Sequence, residues 1–249
     1  MGIWIGTSGY SYPEWKGNFY PAALPAGRML PYYAARFSTV EINNTFYRMP
    51  SERLLSGWAA ATPETFKLTL KAPRRITHES KLKNCDETVK AFCQIAATLG
   101  DKLGLILFQL PPFLKKDVSL LANFVATLSS GIRAAFEFRH ASWHADDVLQ
   151  LLHDGNLALC IADSEKMSTP VTATADYGYF RLRDQGYTQS DIARWADVIR
   201  GHLSGWHDTF VYFKHEEEGK GPEFAAALQE MLVGTSANAA SGRAGERGN

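Results

Sequence analysis

Eight short β-rich runs alternate along this chain with stretches of helical periodicity, a rhythm that leaves few folds open to it. The runs are Ile3–Thr7, Thr39–Asn43, Phe66–Lys71, Leu105–Gln109, Ala135–Arg139, Leu157–Ala162, Tyr177–Leu182 and Phe210–Lys214. Helical spacing marks Arg28–Phe37, Glu52–Ala61, Asp86–Leu99, Val118–Leu128, Ala145–His153, Ser190–His202 and Glu223–Leu232, and is faintest at Ser164–Thr174. Asn84 is expected to cap the helix after the third strand and Gly100 to end it. Ser190 should cap the helix it begins, and Gly155 should end Ala145–His153. Eight strand–helix units predict an α/β protein, a single (β/α)8 TIM-type barrel, with an open doubly wound sheet as the competing arrangement.

The length of 249 residues suits one such domain. The barrel is expected over residues 1–233. Gly234–Asn249, rich in Gly, Ala, Ser and Arg and without large apolar residues, is expected to be a disordered C-terminal tail.

Lys+Arg and Asp+Glu number 26 each. Such a balance lacks the broad basic footprint of general nucleic-acid binding, and no apolar run is long enough to span a membrane. The N-terminus does not read as a signal peptide, and three cysteines without a CxxC pair favour a reducing compartment, so a cytoplasmic location is expected. Cys85, Cys93 and Cys160 read as small buried hydrophobes. Nothing in the sequence specifies an oligomeric state.

Strand alternation then says which side chains enter the barrel. With Val40 and Ile42 facing helices, Glu41 and Asn43 face inward. The same rule turns Thr69 and Lys71, Glu137 and Arg139, Arg181 and Lys214 inward, while Gln109 and Asp163 end their strands. Charges are seldom buried alone, and TIM-barrel active sites lie at strand C-termini. The inward cations Lys71, Arg139, Arg181 and Lys214 outnumber the carboxylates Glu41, Glu137 and Asp163, which points to an anion-binding pocket. Bulky aromatics near the mouth, Tyr10, Trp15, Tyr47 and Trp143 among them, suit a pocket that stacks on a sugar or base while Asn43 and Gln109 fix its orientation.

These motifs, taken in order, resemble the YecE-like family, a domain family of unknown function. The matching pieces are Gly6-Thr7-Ser8-Gly9-Tyr10, Val40-Glu41-Ile42-Asn43-Asn44-Thr45-Phe46-Tyr47-Arg48, Phe66-Lys67-Leu68-Thr69-Leu70-Lys71-Ala72-Pro73 and Phe108-Gln109-Leu110-Pro111-Pro112. They continue with Phe136-Glu137-Phe138-Arg139-His140, Tyr179-Phe180-Arg181-Leu182 and Tyr212-Phe213-Lys214-His215-Glu216. Arg183-Asp184 departs from the His-Gly that many members carry there. The resemblance implies a TIM barrel and no established reaction.

The leading expectation is an enzyme for a small anionic substrate, sugar-phosphate-like or nucleotide-like, working by acid/base catalysis without a cofactor. Lys71, Arg139, Arg181 and Lys214 would hold the anion. Glu137 or Glu41 would exchange protons with His78, His140 or His215 as second group. One alternative recruits a divalent metal through Glu137, Asp163 and the loop histidines for phosphoester hydrolysis, His140 and His144 having a helical ligand spacing. Another is a non-catalytic barrel that binds a metabolite or a protein.

Overall fold

The computed structural model of the chain describes residues 2–129, 131–164 and 168–241. Its eight strands are β1 (Gly2–Ser8), β2 (Thr39–Ile42), β3 (Lys67–Lys71), β4 (Leu103–Gln109), β5 (Ala134–Glu137), β6 (Ala158–Asp163), β7 (Tyr177–Leu182) and β8 (Asp208–Phe213). Each pairs parallel with the next, and β8 closes on β1, giving a barrel rather than an open sheet. The outer layer includes α1 (Met29–Ala34), α3 (Glu52–Ala60), α4 (Asp86–Ala97), α5 (Val118–Val125), α6 (Asp146–Asp154), α7 (Gln189–His202) and α8 (Lys220–Ser241), with α2 (Asn44–Tyr47) a single turn after β2.

Alternation along the strands splits the core in two. Val40, Ile42, Leu68, Leu70, Phe108, Phe136, Phe180 and Val211 face outward and pack under the helices. Leu105, Leu107, Ala135, Cys160, Tyr179, Phe210 and Tyr212 fill the barrel itself. The Tyr212 hydroxyl lies 2.7 Å from Thr39 Oγ and 2.8 Å from Thr69 Oγ, which satisfies the polar groups of that interior layer. At the strand N-termini, Arg133 pairs with Asp208 at 2.6 Å and lies over Tyr177 and Phe210, closing the floor. Position 6 must be glycine, because a Cβ there would meet the Thr39 carbonyl oxygen at 2.1 Å.

Local punctuation departs from expectation in several places. Asn84 does not cap α4; it has φ +49°, and Cys85 takes the cap position without a side-chain bond. Thr188, not Ser190, caps α7, in a reciprocal box with Asp191, because the helix begins one residue early at Gln189. Gly155 does end α6. Between β6 and β7 the described residues form no helix, and residues 165–167 of that expected helix lie outside them. The backbone of α8 runs to Ser241, so 234–241 is helical where an unstructured tail is expected; its run of small residues, Ala237, Ala239 and Ala240 among them, has high helix propensity. Residues 242–249 of that expected tail lie outside the described ones. No helix among the described residues is long and apolar enough to cross a membrane.

Candidate functional site

At the strand C-termini the inward positions carry charge. Arg181 on β7 is 1 % exposed and lies between two carboxylates on opposite sides of the barrel. Its Nε and Nη2 donate to Glu41 Oε1 at 3.0 and 2.9 Å, and its Nη1 donates to Glu137 Oε2 at 3.1 Å. Glu41 also accepts from the hydroxyls of Ser8 and Tyr179. Glu137 accepts from Gln109 Nε2 at 2.7 Å and from Arg139 Nε at 3.0 Å. Asn43 donates to Ser8 Oγ at 2.8 Å, while its own Oδ1 is buried with no partner among the described residues. β1, β2, β4, β5 and β7 thus each give one or two side chains to a single network, which neither local sequence nor any one strand could assemble.

Burial alone would raise Glu41, but the charge of Arg181 and hydrogen bonds from Arg181, Ser8 and Tyr179 outweigh it and hold the carboxyl below its ordinary range. Burial likewise opposes ionisation of Glu137, and the charges of Arg181, Arg139 and Arg183 hold it well below that range. Both carboxylates are ionised and engaged, which makes them weak bases. The sequence places the general base on Glu137 or Glu41; the geometry gives these residues to Arg181 instead.

Two cations stand differently. Lys71, 8 % exposed at the end of β3, has no hydrogen bond or ion pair among the described residues, and its Nζ sits 4.2 Å from the centroid of Phe46. Burial, then repulsion from Arg181, lowers it to about 7 against the attraction of Glu41 and Glu137. The Phe46 face favours the ammonium by about 0.5–2 kcal/mol. That is less than the roughly 5 kcal/mol such a displacement represents, so the amine stays far below an ordinary lysine. Arg183, just past β7, carries a buried Nε with no acceptor among the described residues and is lowered by burial. Sequence reasoning passes over it because it follows the strand; its spacing of two from the inward Arg181 was the available signal. Ser8 and Tyr179 are missed as members of the network for want of charge.

His78 lies on a five-residue π-helical turn, Arg75–Glu79, directly after β3. Its Nδ1 is 2.9 Å from Thr77 Oγ, and its ring meets Phe46 edge to face at 5.0 Å. Lys71 and His78 therefore flank the same ring. Burial, then the charges of Lys71 and Arg139, lower His78. Lys81, Leu82 and Asn84, all with positive φ, follow this turn, so strained backbone lies next to the site.

The remaining candidates lie elsewhere. Trp143 stacks on Phe138 at 4.8 Å and donates to the Leu114 carbonyl; it belongs to the core. Trp15 is equally buried, bonded to the Glu216 carbonyl, because its bulk closes the β1 loop over the last turn before α8. His140 caps a single turn, Ala141–Trp143, by accepting from Ser142 N–H. That segment is no α-helix, so His140 and His144 lack the helical ligand spacing. His215 bonds the Asp184 carbonyl at 2.6 Å and packs on Tyr187 and Phe224. Lys214 lies 3.4 Å from Glu216, and Asp163 accepts from Tyr187. Tyr10, Tyr12, Asn43 and Tyr47 line a cleft of about 340 Å³ at the β1 and β2 ends. Among the described residues no three His, Cys, Asp or Glu gather as a metal donor set.

A closed parallel barrel with a charged network at its strand C-termini is a TIM-barrel architecture. This chain belongs to the DUF72 family of proteins of unknown function, whose model it matches over residues 4–246. It is 28 % identical over 144 residues to the UPF0759 protein YecE of Escherichia coli K12, covering 57 % of this chain and 50 % of that protein. The match thus spans about half the length of that curated relative. A DUF72 family protein from Thermotoga maritima superimposes with a TM-score of 0.85 at 26 % identity, over 94 % of this chain and 100 % of that one. The D-psicose 3-epimerase of Clostridium cellulolyticum H10 superimposes at 0.55 and 12 % identity, over 95 % and 99 %, a likeness of fold alone.

Proposed function

We propose that this protein is an enzyme that binds a small anionic substrate at the barrel mouth and moves protons on it through Lys71 and His78. One observation carries the reading: among the described residues Arg183 holds a buried guanidinium nitrogen without an acceptor, near Arg139 and near a Glu137 already bonded to Arg181. An unpaired buried donor costs about 1–3 kcal/mol, and an oxyanion would relieve it. Among the described residues neither Lys71 nor His78 is paired with an opposite charge, and the Tyr10, Tyr12 and Tyr47 cleft beside Asn43 offers aromatic and amide surface for the rest of a sugar- or nucleotide-like molecule.

Inorganic phosphate tests the anion site. At a hundredfold excess over its dissociation constant it should add about 2.7 kcal/mol of stability, visible as a raised Tm, while chloride at matched ionic strength gives none. Arg183→Gln should fold at least as well as the parent and lose the phosphate effect. Equal shifts from both salts, or in both proteins, would remove the site.

A further inference from the structure

We propose that Lys71 is a covalent nucleophile, an amine placed to form an imine with the carbonyl carbon of an anionic aldehyde or ketone held at the barrel mouth. The proposal rests on the preceding reading of the mouth as a substrate site and names the substrate class: a small carbonyl compound that also bears a phosphate or carboxylate.

The geometry separates Lys71 from the other inward cations. Arg181 is spent on Glu41 and Glu137, and Arg139 is bonded to Glu137. Lys71 ends β3 at the mouth with its carbonyl fixed by Thr45 Oγ at 2.6 Å, and among the described residues no carboxylate or carbonyl holds its amine. A lysine kept only to pair charge would touch Glu41 or Glu137. Here Phe46 lies against the Nζ instead, at 4.2 Å, and shields it from water; its π face favours the ammonium, so the free amine comes from burial and the charge of Arg181. The groups facing it are Arg181 of β7, Glu41 of β2, Glu137 of β5, Arg139 just past it, and His78 of the turn that follows β3. The depression to about 7 agrees with that surrounding: roughly half the amine is free at neutral pH, against about one part in three thousand for an ordinary lysine.

In the step itself the Nζ lone pair attacks the carbonyl carbon, and the C–N bond forms as the carbonyl π pair moves to oxygen. One amine proton reaches that oxygen, giving a carbinolamine. The hydroxyl then departs with a second proton as water, and the C=N bond closes. Amine and carbonyl become imine and water, with no oxidant or reductant. His78, edge to face with Phe46 and with Nδ1 engaged by Thr77, is the proton carrier the geometry supplies. Arg139 and Arg183 hold the anionic end.

The test uses the full chain with a matched pair, glycolaldehyde phosphate and glycolaldehyde, and cyanoborohydride to fix imines as secondary amines. Peptide mapping should show Lys71 labelled at least tenfold faster than the exposed lysines. Its rate should rise with pH to a plateau above about 7, whereas exposed lysines still gain near pH 10. The phosphate-bearing aldehyde should react faster, and inorganic phosphate should slow it. Lys71→Arg, similar in length and cationic, should lose the fast phase while the exposed lysines react as before. Preferential labelling of Lys71 by both aldehydes at equal rates would keep the nucleophile and overturn the anion site. Labelling of Lys71 no faster than of exposed lysines by either aldehyde would overturn the proposal, whatever phosphate does to stability.

Discussion

At Glu137 three donors meet two carboxylate oxygens: Arg181 at 3.1 Å, Arg139 at 3.0 Å and Gln109 at 2.7 Å. As an inward carboxylate near a barrel mouth, Glu137 reads in sequence as a hydrated general base whose amide would be tolerated. The structure gives it another duty, since it is 1 % exposed and neutralises Arg181 together with Glu41. Glu137→Gln would leave Arg181, Arg139 and Arg183 facing one remaining carboxylate. Breaking a buried pair by removing one partner costs about 3–5 kcal/mol, and urea unfolding should show a loss of that size. A loss below about 1.5 kcal/mol would mean that water, not Arg181, solvates this carboxylate. That these residues point inward was legible from the alternation of single strands. Their pairing was not, because Arg181 reaches partners 140 and 44 residues away, and no local pattern encodes that choice.

Elements were legible where periodicity is strong and less so where a cap or a single side chain decides. β7 runs over Tyr177–Leu182 as the alternation implies. The start of α7 is set by Thr188, whose hydroxyl accepts from Asp191 N–H while Asp191 returns a bond to the Thr188 N–H. Thr188→Ala should therefore cost about 1 kcal/mol, read by thermal or urea unfolding. Ser190→Ala, which removes only a contact to that hydroxyl, should cost less than about 0.5 kcal/mol. The reverse order would return the cap to Ser190. Trp15, Trp143 and His215 show the same limit from the other side. Each follows or precedes a strand as a site residue would, yet each is turned into packing by loops whose course depends on distant partners, such as Leu114 for Trp143.

For the molecule as a whole, the buried charges set how stability follows pH. Glu41 and Glu137 lie below 4.5 in the folded state, so their contribution is fully present above about 4.5 and is lost as pH falls from there toward their folded values. Lys71 has the opposite consequence. Its folded value of about 7 lies below the 10.5 of an ordinary lysine, so the unfolded chain binds more protons between those values, and stability rises with pH across them. Lys71 alone can supply up to about 5 kcal/mol of that rise. Burial raises the thiols of Cys85, Cys93 and Cys160 and the hydroxyls of Tyr33 and Tyr212, so stability falls again beyond about pH 9. Unfolding free energies should therefore climb from pH 7 to about 9 instead of levelling. Lys71→Met should be more stable than the parent at pH 6, with the gap closing toward pH 10. A gap between parent and Lys71→Met that stays constant from pH 6 to 10 would show that Lys71 keeps its proton in the fold.

The sequence by itself determined an α/β protein of eight parallel strands with helical crossovers, predicted as a barrel against an open doubly wound sheet, and alternation alone then said which side chains face inward. Only the tertiary structure decided what those side chains do. Closure of β8 on β1 brings β2, β5 and β7 around one axis, and there Arg181 takes both carboxylates. Charge pairing at that depth is settled by distance and desolvation, quantities that exist only once the chain has closed. Among the described residues the same closure leaves the Lys71 amine without a hydrogen bond or ion pair and the Arg183 Nε without an acceptor, and so makes them the residues to test first.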